Sequence, residues 1–248
     1  MSVLARSVES LKGFGSARPL WTALIVTLVF AALARSVRGV SRSGAIAGAG
    51  ICFLLYVGGG PGAFAALVSV FALTWISTRL GYQRKRKLGT AERVDGRTAR
   101  QVLANLAVAA ICAGLSAVNS RTAVLLLAVS AALSEAAADT VSSEVGQARN
   151  AEARLITSWE EVPAGTDGGV SWAGTLAGVA AATLVSLVCI FTGLVPIKWL
   201  GISIAAAVVG MTADSYLGAL LERRKLLNND AVNFLGTLIA AFAASLLV

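Results

Sequence analysis

Apolar residues are grouped along this chain into eight segments that alternate with polar loops. The segments run over residues 21–37, 44–57, 62–77, 101–118, 122–138, 174–193, 196–217 and 231–248. A helix needs about 20 apolar residues to cross a bilayer, and most of the segments approach that length. The second segment is the weakest and is compatible with a re-entrant helix. The pattern predicts an all-α, polytopic membrane bundle of about seven or eight transmembrane helices.

Composition supports the membrane assignment. Hydrophobic residues make up 56% of the chain and charged residues only 14%, with a mean hydropathy of +0.77, whereas soluble domains have about 25% charged residues. The three cysteines lie in apolar segments without C-x-x-C spacing, and the chain has no histidine. Histidine metal sites and histidine general bases are therefore excluded. Any metal would need oxygen ligands, which favour Mg²⁺ or a similar hard cation.

The distribution of basic residues predicts the topology. Most of the 21 Lys and Arg residues lie in the loops 35–43, 78–100, 139–173 and 218–230. The positive-inside rule places these loops in the cytoplasm. The net charge of +8 is therefore explained by membrane topology and does not indicate nucleic-acid binding. We expect a prokaryotic cytoplasmic membrane protein with its site facing the cytoplasm.

We expect a single integral membrane domain over residues 1–248. Residues 1–19 would form an N-terminal interfacial segment, residues 20–79 the first helices and residues 80–248 a catalytic core.

Three acidic residues interrupt the end of the fifth apolar segment and the stretch after it: Glu135, Asp139 and Glu144. Glu135 and Asp139 are four residues apart and would share one face of a helix. A carboxylate near the hydrocarbon edge is costly and needs a cation, a donor or water as partner. Asp139 is therefore the predicted centre of a site.

A second aspartate follows a similar pattern 75 residues later. Ala213-Asp214-Ser215-x-x-Gly218 resembles Ala138-Asp139-Thr140-x-x-Ser143. Each stretch follows a two-helix hairpin, so the region 101–217 is a candidate internal duplication of a helix-hairpin unit. The two aspartates would then reach the cytoplasmic ends of equivalent helices. With Glu144 they would form a Mg²⁺ site; the alternative is two aspartates that cap the following turns.

The loop before the sixth segment is rich in glycine and reads Gly165-Thr166-Asp167-Gly168-Gly169-Val170-Ser171. Glycine lets the backbone bend and approach a ligand closely. Ser171 is the predicted N-cap of the next helix, whose first N–H groups favour anions. The loop is a candidate phosphate-binding nest, or simply a connection between helices; it lacks the G-K-[ST] of a P-loop.

Polar residues elsewhere have two interpretations each. Gln101 and Asn105 are four residues apart at the cytoplasmic mouth, where their amides can pair with each other or donate to a bound phosphate. The run of residues 84–87 favours contact with anionic lipid headgroups. Asn229 or Asp230 is the predicted N-cap of the last helix, and Asn233, one turn later, is a candidate to face the site.

Five ordered motifs give the chain a resemblance to an integral membrane family that includes plant chloroplast phytyl-phosphate kinases and the animal transmembrane protein 19. The motifs are Arg97-x-x-x-Gln101-Val-Leu-Ala-Asn105, Ala138-Asp139-Thr140-x-x-Ser143-Glu144-x-Gly146, Gly165-Thr166-x-Gly168-Gly169-Val170-Ser171, Ala213-Asp214-Ser215-x-x-Gly218-Ala219 and Asn229-x-x-Val232-Asn233. The resemblance runs from about Lys87 onward. A fainter similarity to CTP-dependent polyprenol kinases rests on residues 139–146 and 171–178, with Val170 in place of their basic residue.

The resemblance implies a membrane kinase of lipid metabolism. It would transfer a phosphate from a nucleoside triphosphate, CTP by expectation, to a phytyl, geranylgeranyl or polyprenyl monophosphate in a Mg²⁺-dependent reaction. The implied catalytic residues are Asp139, Asp214 and Arg97, and the implied metal ligands are Asp139, Glu144 and Asp214. The implied substrate-binding residues are Gly165, Thr166, Asp167, Gly168, Gly169, Ser171, Gln101, Asn105, Asn229, Asn233 and Lys87.

A secondary transporter or a lipid-phosphate flippase is the alternative from another class of protein. Intramembrane acids and duplicated helix units also occur in transporters, where Glu135, Asp139 and Asp214 would bind a coupling ion. The positions of the acids discriminate between the two. Asp139 and Asp214 lie at the ends of their segments, as a kinase requires, whereas Glu135, one turn deeper, is better explained by transport.

Overall fold

The computed structural model describes residues 20–120, 122–149 and 152–248. The predicted interfacial segment, 1–19, lies outside the described residues. The helices are α1 (Leu20–Ser36), α2 (Arg42–Arg79), α3 (Tyr82–Leu88), α4 (Ala99–Ser116), α5 (Thr122–Arg149), α6 (Trp172–Phe191), α7 (Leu200–Leu217) and α8 (Asn229–Leu246). The strands are β1 (Ala153–Leu155), β2 (Glu161–Val162) and β3 (Gly169–Val170). A 3₁₀ turn (Ile197–Trp199) precedes α7 and a π-helical turn (Gly218–Glu222) follows it.

Six of the described helices are long and apolar enough to cross a membrane, namely α2, α4, α5, α6, α8 and α7 together with its flanking turns. The helix α1 is also apolar but has 17 residues. The all-α, polytopic membrane bundle is therefore confirmed.

The helix α2 is a pair of antiparallel arms and not one straight rod. Its backbone leaves the helical region at Gly60, which has φ 65° and ψ −156°. Near its C-terminal end, the indole Nε1 of Trp75 donates to the carbonyl oxygen of Val37, just before its N-terminal end, at 3.2 Å. The two ends of α2 therefore meet, and the arms 42–59 and 61–79 correspond to the predicted second and third segments.

The break in α2 lies at the other end of the bundle from the place where the two ends of α2 meet. The hydroxyl of Ser116, the last residue of α4, donates to the carbonyl oxygen of Gly58 at 3.1 Å. A Cβ atom at Gly62 would lie 3.2 Å from the Cβ of Leu194, in the turn after α6. Both arms thus extend as far as α4 and α6 do, which disfavours the re-entrant alternative for residues 44–57.

The helix α5 is the core of the bundle. Every residue from 127 to 138 is buried, and α5 packs against α2, α4, α6, α7 and α8. Small residues allow α6 to approach it closely: a Cβ atom at Gly174 would lie 2.6 Å from the Ser142 carbonyl oxygen, and one at Gly178 would lie 2.8 Å from that of Ala138. Close approach of this kind is how membrane helices gain packing energy without a hydrophobic driving force.

Buried hydroxyl groups add polar contacts between the same helices. Ser130 of α5 pairs with Ser203 of α7 at 2.8 Å, and Ser186 of α6 pairs with Ser203 at 2.9 Å. Ser134, one turn along α5 from Ser130, pairs with Ser186 at 2.9 Å. This serine cluster fixes the relative rotation of three helices whose ends carry the site.

The predicted loop 139–173 begins later than expected. The helix α5 continues to Arg149, so Asp139 lies on a helix with Glu135 as their spacing predicted, and Glu144 also lies within that helix. The rest of the predicted loop contains a small antiparallel sheet of order β2-β1-β3, in which Leu155 pairs with Gly169. Because β3 leads directly into α6, the sheet positions the glycine-rich stretch against the bundle.

The basic loops lie together at one end of the bundle, here called the basic end, formed by the turn 37–41, the loop 89–98, the strand region 153–170 and the turn 218–228. The backbone of Arg97 is hydrogen-bonded to Gly39 and Ser41 at 3.1 and 2.9 Å. A Cβ atom at Gly168 would lie 2.5 Å from Ala219. The loops that the charge pattern places on one side of the membrane are therefore in contact in the fold.

Candidate active site

A polar cavity of about 400 Å³ opens at the basic end between α4, α5, α7, α8 and the glycine-rich loop. It is lined by nearly every residue that the sequence predicts for the site: Arg97, Gln101, Asn105, Asp139, Glu144, Gly165, Thr166, Asp167, Gly168, Gly169, Ser171, Asp214, Asn229 and Asn233. Lys87 is the exception, because it is exposed on α3 and does not line the cavity. The volume lies within the range of small-molecule sites, about 300–1,000 Å³.

Asp139 of α5 and Asp214 of α7 lie side by side in this cavity, close enough for their carboxyl groups to interact directly. The neighbouring position on α8 is Gly236, where a Cβ atom would lie 3.4 Å from Asp214 Oδ2. That oxygen is buried and has no hydrogen-bond partner among the residues that the structure describes. Two adjacent carboxylates repel each other unless a cation or a proton offsets their charge. The pair therefore has the character of a cation site.

Glu144 does not join the two aspartates, which corrects its assignment as a metal ligand. It forms a salt bridge with Lys85 of α3, whose side chain is fully buried. The same ammonium group donates to the carbonyl oxygens of Ser77 and Thr78 at 3.1 and 2.7 Å. Across the described residues, no group of three His, Cys, Asp or Glu side chains is arranged to hold a metal ion. The protein thus offers two carboxylates, and Lys85 neutralises the third.

Both the backbone and the side chain of Arg97 make contacts that hold it at the wall of the cavity. Its backbone is hydrogen-bonded to the turn 37–41. The preceding residue, Gly96, has φ 81°, and a Cβ atom there would lie 2.6 Å from the Val40 nitrogen, so this close approach requires glycine. Its guanidinium group approaches Thr140 Oγ1 at 3.5 Å and Glu92 at 3.8 Å. The positive charge acts on Asp139. A guanidinium in this position can contact an anion that enters the cavity.

Gln101 and Asn105 do not pair with each other through their amides. The oxygen of Gln101 accepts hydrogen bonds from the backbone and hydroxyl of Thr98 in a capping box at the start of α4, and its Nε2 donates to Glu92 at 3.1 Å. The Nδ2 of Asn105 donates to the Gln101 carbonyl oxygen at 2.8 Å. In this structure Gln101 is a helix-capping residue that also orients Glu92, a role that neither interpretation from the sequence included.

The glycine-rich loop adopts two successive turns, with Thr166 N bonded to the Pro163 oxygen at 3.1 Å and Gly169 N to the Thr166 oxygen at 2.8 Å. Gly165 and Gly168 have φ 89° and 74°, in the left-handed region that favours glycine. The predicted N-cap is confirmed, because Ser171 Oγ accepts from Gly174 N at 3.1 Å. The loop therefore presents backbone and the N-terminal end of α6 to the cavity.

The predicted N-cap of the last helix, Asn229 or Asp230, is wrong: the cap is Asn228 and the helix begins at Asn229. Asn228 caps α8 by accepting from Ala231 N at 2.9 Å, so Asn229 is a helical residue that is available to line the cavity. Asp230 pairs with Arg100 of α4 at 3.1 Å. Asn233 lines the cavity one turn further along, as its spacing from Asn229 indicated.

Comparison with known proteins identifies the family. The family described as integral membrane protein DUF92 matches residues 25–241. The chain belongs to this family. The match includes most of α1 and all of α2, so the family extends well before Lys87, where the motif resemblance begins. No solved structure matches the chain.

Relatives of this DUF92 protein come from archaea and plants. The chain is 32% identical over 231 residues to an uncharacterized membrane protein of Methanocaldococcus jannaschii, covering 92% of this chain and 94% of the relative. It is 28% identical over 250 residues to Protein VTE6, chloroplastic, of Arabidopsis thaliana, covering 96% and 75%. It is 28% identical over 273 residues to Protein PGR of the same plant, covering 90% and 94%. These matches confirm the resemblance to the family of the plant phytyl-phosphate kinases.

Several residues of the DUF92 site have no recognisable signal in the sequence. Lys85 is one of four consecutive basic residues, and only the fold shows that it alone is buried. Glu92 and Gln147 also line the cavity, and Gln147 Nε2 donates to Ser143 Oγ at 2.9 Å. Glu222 is the exception, since its spacing places it on the same stripe as Asp214, and it lines the cavity too.

Proposed function

We propose that this protein is a membrane kinase that transfers a phosphate from a nucleoside triphosphate, CTP first among them, to an isoprenoid monophosphate with the help of Mg²⁺. The observation that carries the proposal is the polar cavity, in which the carboxyl pair of Asp139 and Asp214 lies with Arg97 and the glycine-rich loop. Acidic groups that bind a cation and donors that bind phosphate oxygens are the parts that phosphoryl transfer needs. Membership of the family that includes phytyl-phosphate kinases supports the lipid phosphate as substrate.

The two aspartates fit a Mg²⁺ ion. Mg²⁺ is usually held by one or two carboxylates, with substrate phosphates and waters as its other ligands. The buried Oδ2 of Asp214 has no partner among the described residues and is free to accept such an interaction. Bound there, Mg²⁺ would neutralise charge on the nucleotide phosphates. The pairing of Glu144 with Lys85 does not weaken this fit, because two carboxylates suffice.

The remaining groups of the cavity would position the two substrates. The Gly165–Ser171 loop and the first turn of α6 would donate backbone N–H groups to the nucleotide phosphates. Arg97 would contact the phosphate of the acceptor, since it lies in the wall of the cavity and is fixed to the turn 37–41. Holding two anions together in line is the main task of such an enzyme.

The chemistry needs no strong base. An oxygen of the acceptor monophosphate forms a bond to the γ-phosphorus while the bond from that phosphorus to the β–γ bridging oxygen breaks, and the nucleoside diphosphate leaves. A phosphate monoester has its second pKa near 6, so the attacking oxygen is already deprotonated at neutral pH. This matches a chain without histidine.

The position of the cavity suits a lipid acceptor and a soluble donor. It opens at the basic end, which the positive-inside rule places in the cytoplasm, where nucleotides are available. The helices around it would let an apolar chain lie in the membrane while its phosphate reaches the cavity.

Removal of divalent cations should abolish activity. We expect purified protein in detergent to form isoprenoid diphosphate from labelled CTP, with phytyl, geranylgeranyl or undecaprenyl monophosphate as acceptor. Excess EDTA should reduce the product to background, and Mg²⁺ should restore it, because the repulsion between the phosphates and the carboxyl pair is then offset. ATP in parallel reactions determines the donor. Full activity in EDTA would contradict the assignment of a metal.

Transport is the second candidate function, and one observation favours it. Glu135 is 1% exposed within the membrane-spanning part of α5, and neither of its oxygens has a hydrogen-bond partner within the described part of the chain. It is enclosed by Gly210 and Gly236, where added Cβ atoms would lie 2.7 and 2.6 Å from its side chain. An ionisable group buried in a membrane helix often serves an ion pathway.

The substitution Glu135→Gln separates the two functions. Glu135 does not line the polar cavity, so we expect the variant to lose no more than about tenfold in phosphoryl transfer, the lower end of the loss seen when residues behind a metal ligand are changed. The measurement is the initial rate of diphosphate formation, together with ion-driven uptake of labelled isoprenoid phosphate in proteoliposomes. Uptake by the wild type that Glu135→Gln abolishes, without any diphosphate product, would establish transport instead.

A further inference from the structure

A second cavity, of about 360 Å³, lies between α1, the two arms of α2 and α4. Its deeper wall is apolar and includes Phe30, Ala34, Leu67, Val70, Phe71 and Leu106. Three aromatic rings pack around this region, with Phe30 edge-on to Phe71 at 5.5 Å between centroids and to Phe64 at 5.6 Å. A mainly apolar hollow of this size in a membrane protein suits a hydrocarbon chain.

The apolar cavity and the polar cavity are neighbours that share a wall. Glu92, Arg97, Gln101 and Asn105 line both of them. The wall is held in place by the bonds from Gln101 to Glu92 and from Asn105 to the Gln101 carbonyl oxygen. The carboxyl pair lies on one side of the wall and the apolar hollow on the other. A molecule with one apolar and one anionic part can therefore occupy both sides.

The charges of the apolar cavity are confined to its mouth. Arg38, Arg79 and Arg93 line it at the basic end, together with Arg97 and Glu92 of the shared wall, so four positive charges lie there against one negative charge. Arg79 is engaged, because it lies over the Trp75 ring at 3.8 Å and donates to the Val37 oxygen at 2.9 Å. Arg38 and Arg93 are exposed. The mouth thus attracts an anionic headgroup, and the interior accepts the tail attached to it.

We propose that this apolar cavity binds the isoprenoid chain of the acceptor lipid and that Arg97 receives its phosphate at the wall shared with the polar cavity. The proposal rests on the proposed kinase function, which supplies the lipid phosphate. It assigns a role to α1 and α2, in which the motifs place no site residue. The cavity volume, near the lower limit for ligand sites, suits a single linear chain and not the two chains of a phospholipid.

Gly48 and Gly50, both on the first arm of α2, provide a matched pair of substitutions. Gly48 lines the apolar cavity, and a Cβ atom there would meet only Val102 Cγ1, at 3.9 Å. Gly50 does not line the cavity, is exposed, and a Cβ atom there would meet no atom within 4 Å. The substitution Gly48→Phe therefore fills the cavity without a backbone clash. Gly50→Phe adds the same ring on the outside of the bundle.

The first experiment measures binding without nucleotide, so that it does not depend on catalysis. A photoreactive geranylgeranyl monophosphate analogue, with a diazirine near the chain end, is cross-linked to the protein in detergent and the adduct is mapped by mass spectrometry. We expect adducts within residues 67–71 and 102–106, with protection by phytyl monophosphate but not by phosphatidylglycerol. Adducts confined to other helices, no adduct, or protection by phosphatidylglycerol would overturn the proposal.

The paired variants give the size of the effect. Each buried methylene is worth about fourfold in affinity, so a ring that excludes several of them should reduce labelling by Gly48→Phe on the order of 50-fold. Gly50→Phe should label like the wild type. Equal labelling of the two variants would show that the chain binds elsewhere.

The second experiment measures diphosphate formation with acceptors of different chain length and separates this inference from the kinase function. Gly48→Phe should raise KM for geranylgeranyl monophosphate on the order of 50-fold and change KM for a two-isoprene acceptor much less. Wild-type transfer with no difference between Gly48→Phe and Gly50→Phe would refute the tail site and leave the kinase intact. Mapped labelling without any transfer would refute the kinase and leave the lipid site intact.

Discussion

Asp139→Asn and Asp214→Asn should each reduce diphosphate formation by more than about 100-fold, the upper end of the loss seen when residues behind a metal ligand are changed. Each substitution keeps the shape of the side chain and removes its negative charge. The two carboxyl groups come from different helices, α5 and α7, and interact directly, so they would act on Mg²⁺ as one unit. The double variant should therefore be hardly less active than either single variant. The measurement is the rate of product formation at saturating CTP and Mg²⁺.

Stability should change in the opposite direction from activity. Without a cation, the two carboxyl groups repel each other, and Asp214 Oδ2 has no hydrogen-bond partner in the part of the chain that the structure describes. Removal of one charge relieves that repulsion, so the metal-free variants should unfold at the same temperature as the wild type or a higher one. Mg²⁺ with nucleotide should raise the unfolding temperature of the wild type and not of the variants, because a ligand stabilises only the state that binds it.

A matched control for these variants is Asp95→Asn. Asp95 is exposed and lines neither cavity, so its substitution should leave both the rate and the thermal shift unchanged. An Asp214→Asn variant that keeps full activity would contradict the role of the carboxyl pair. A variant that is inactive and also unfolded would show that Asp214 stabilises the fold, a result that the thermal unfolding curve of the same sample reveals.

The sequence predicted the components of the polar cavity well, because each lies on a helix stripe or a glycine turn whose geometry is local. The spacing of Asp214, Gly210 and Gly218 placed two glycines on the face that carries the carboxylate. In the fold, Gly210 packs against Gly236, and Gly218 against Gly168. The basic loops also predicted which helix ends lie on one side. Such signals depend on residues close together in sequence, so one chain is enough to find them.

Contacts between distant segments could not be predicted in the same way. Nothing local distinguishes Lys85 from its basic neighbours, and its burial results from Glu144, which lies 59 residues away. Similarly, the apolar cavity arises where Gly48 of α2 faces Val102 of α4, and an apolar pattern alone does not tell a lipid-facing glycine from one that lines a hollow. Gly60 is a contrasting case, because Gly-Pro signals a break and the basic loops 35–43 and 78–100 already predicted that both ends of α2 lie on one side of the membrane.

Loss of Lys85 should strongly destabilise the basic end, because it leaves the Glu144 carboxylate without its buried partner. Lys85 is 0% exposed and its ammonium group satisfies the Ser77 and Thr78 carbonyl oxygens at the end of α2 as well as the Glu144 carboxylate. The substitution Lys85→Met keeps an unbranched side chain, one atom shorter, and leaves these acceptors without their donor. Breaking a buried pair in this way costs about 3–5 kcal/mol, which lowers the unfolding temperature by roughly 10 °C in a domain of this size.

The second lysine of α3 and a double variant make the experiment specific. Lys87 is exposed on the same short helix, so Lys87→Met should change stability by less than about 0.5 kcal/mol. Adding Glu144→Gln to Lys85→Met should recover much of the loss, because the unpaired charge is then removed and the two substitutions are not additive. The measurement is thermal unfolding in detergent, followed by tryptophan fluorescence. If Lys85→Met and Lys87→Met unfold at the same temperature, the ion pair does not hold α3 to α5, and Glu144 is free to serve the carboxyl pair after all.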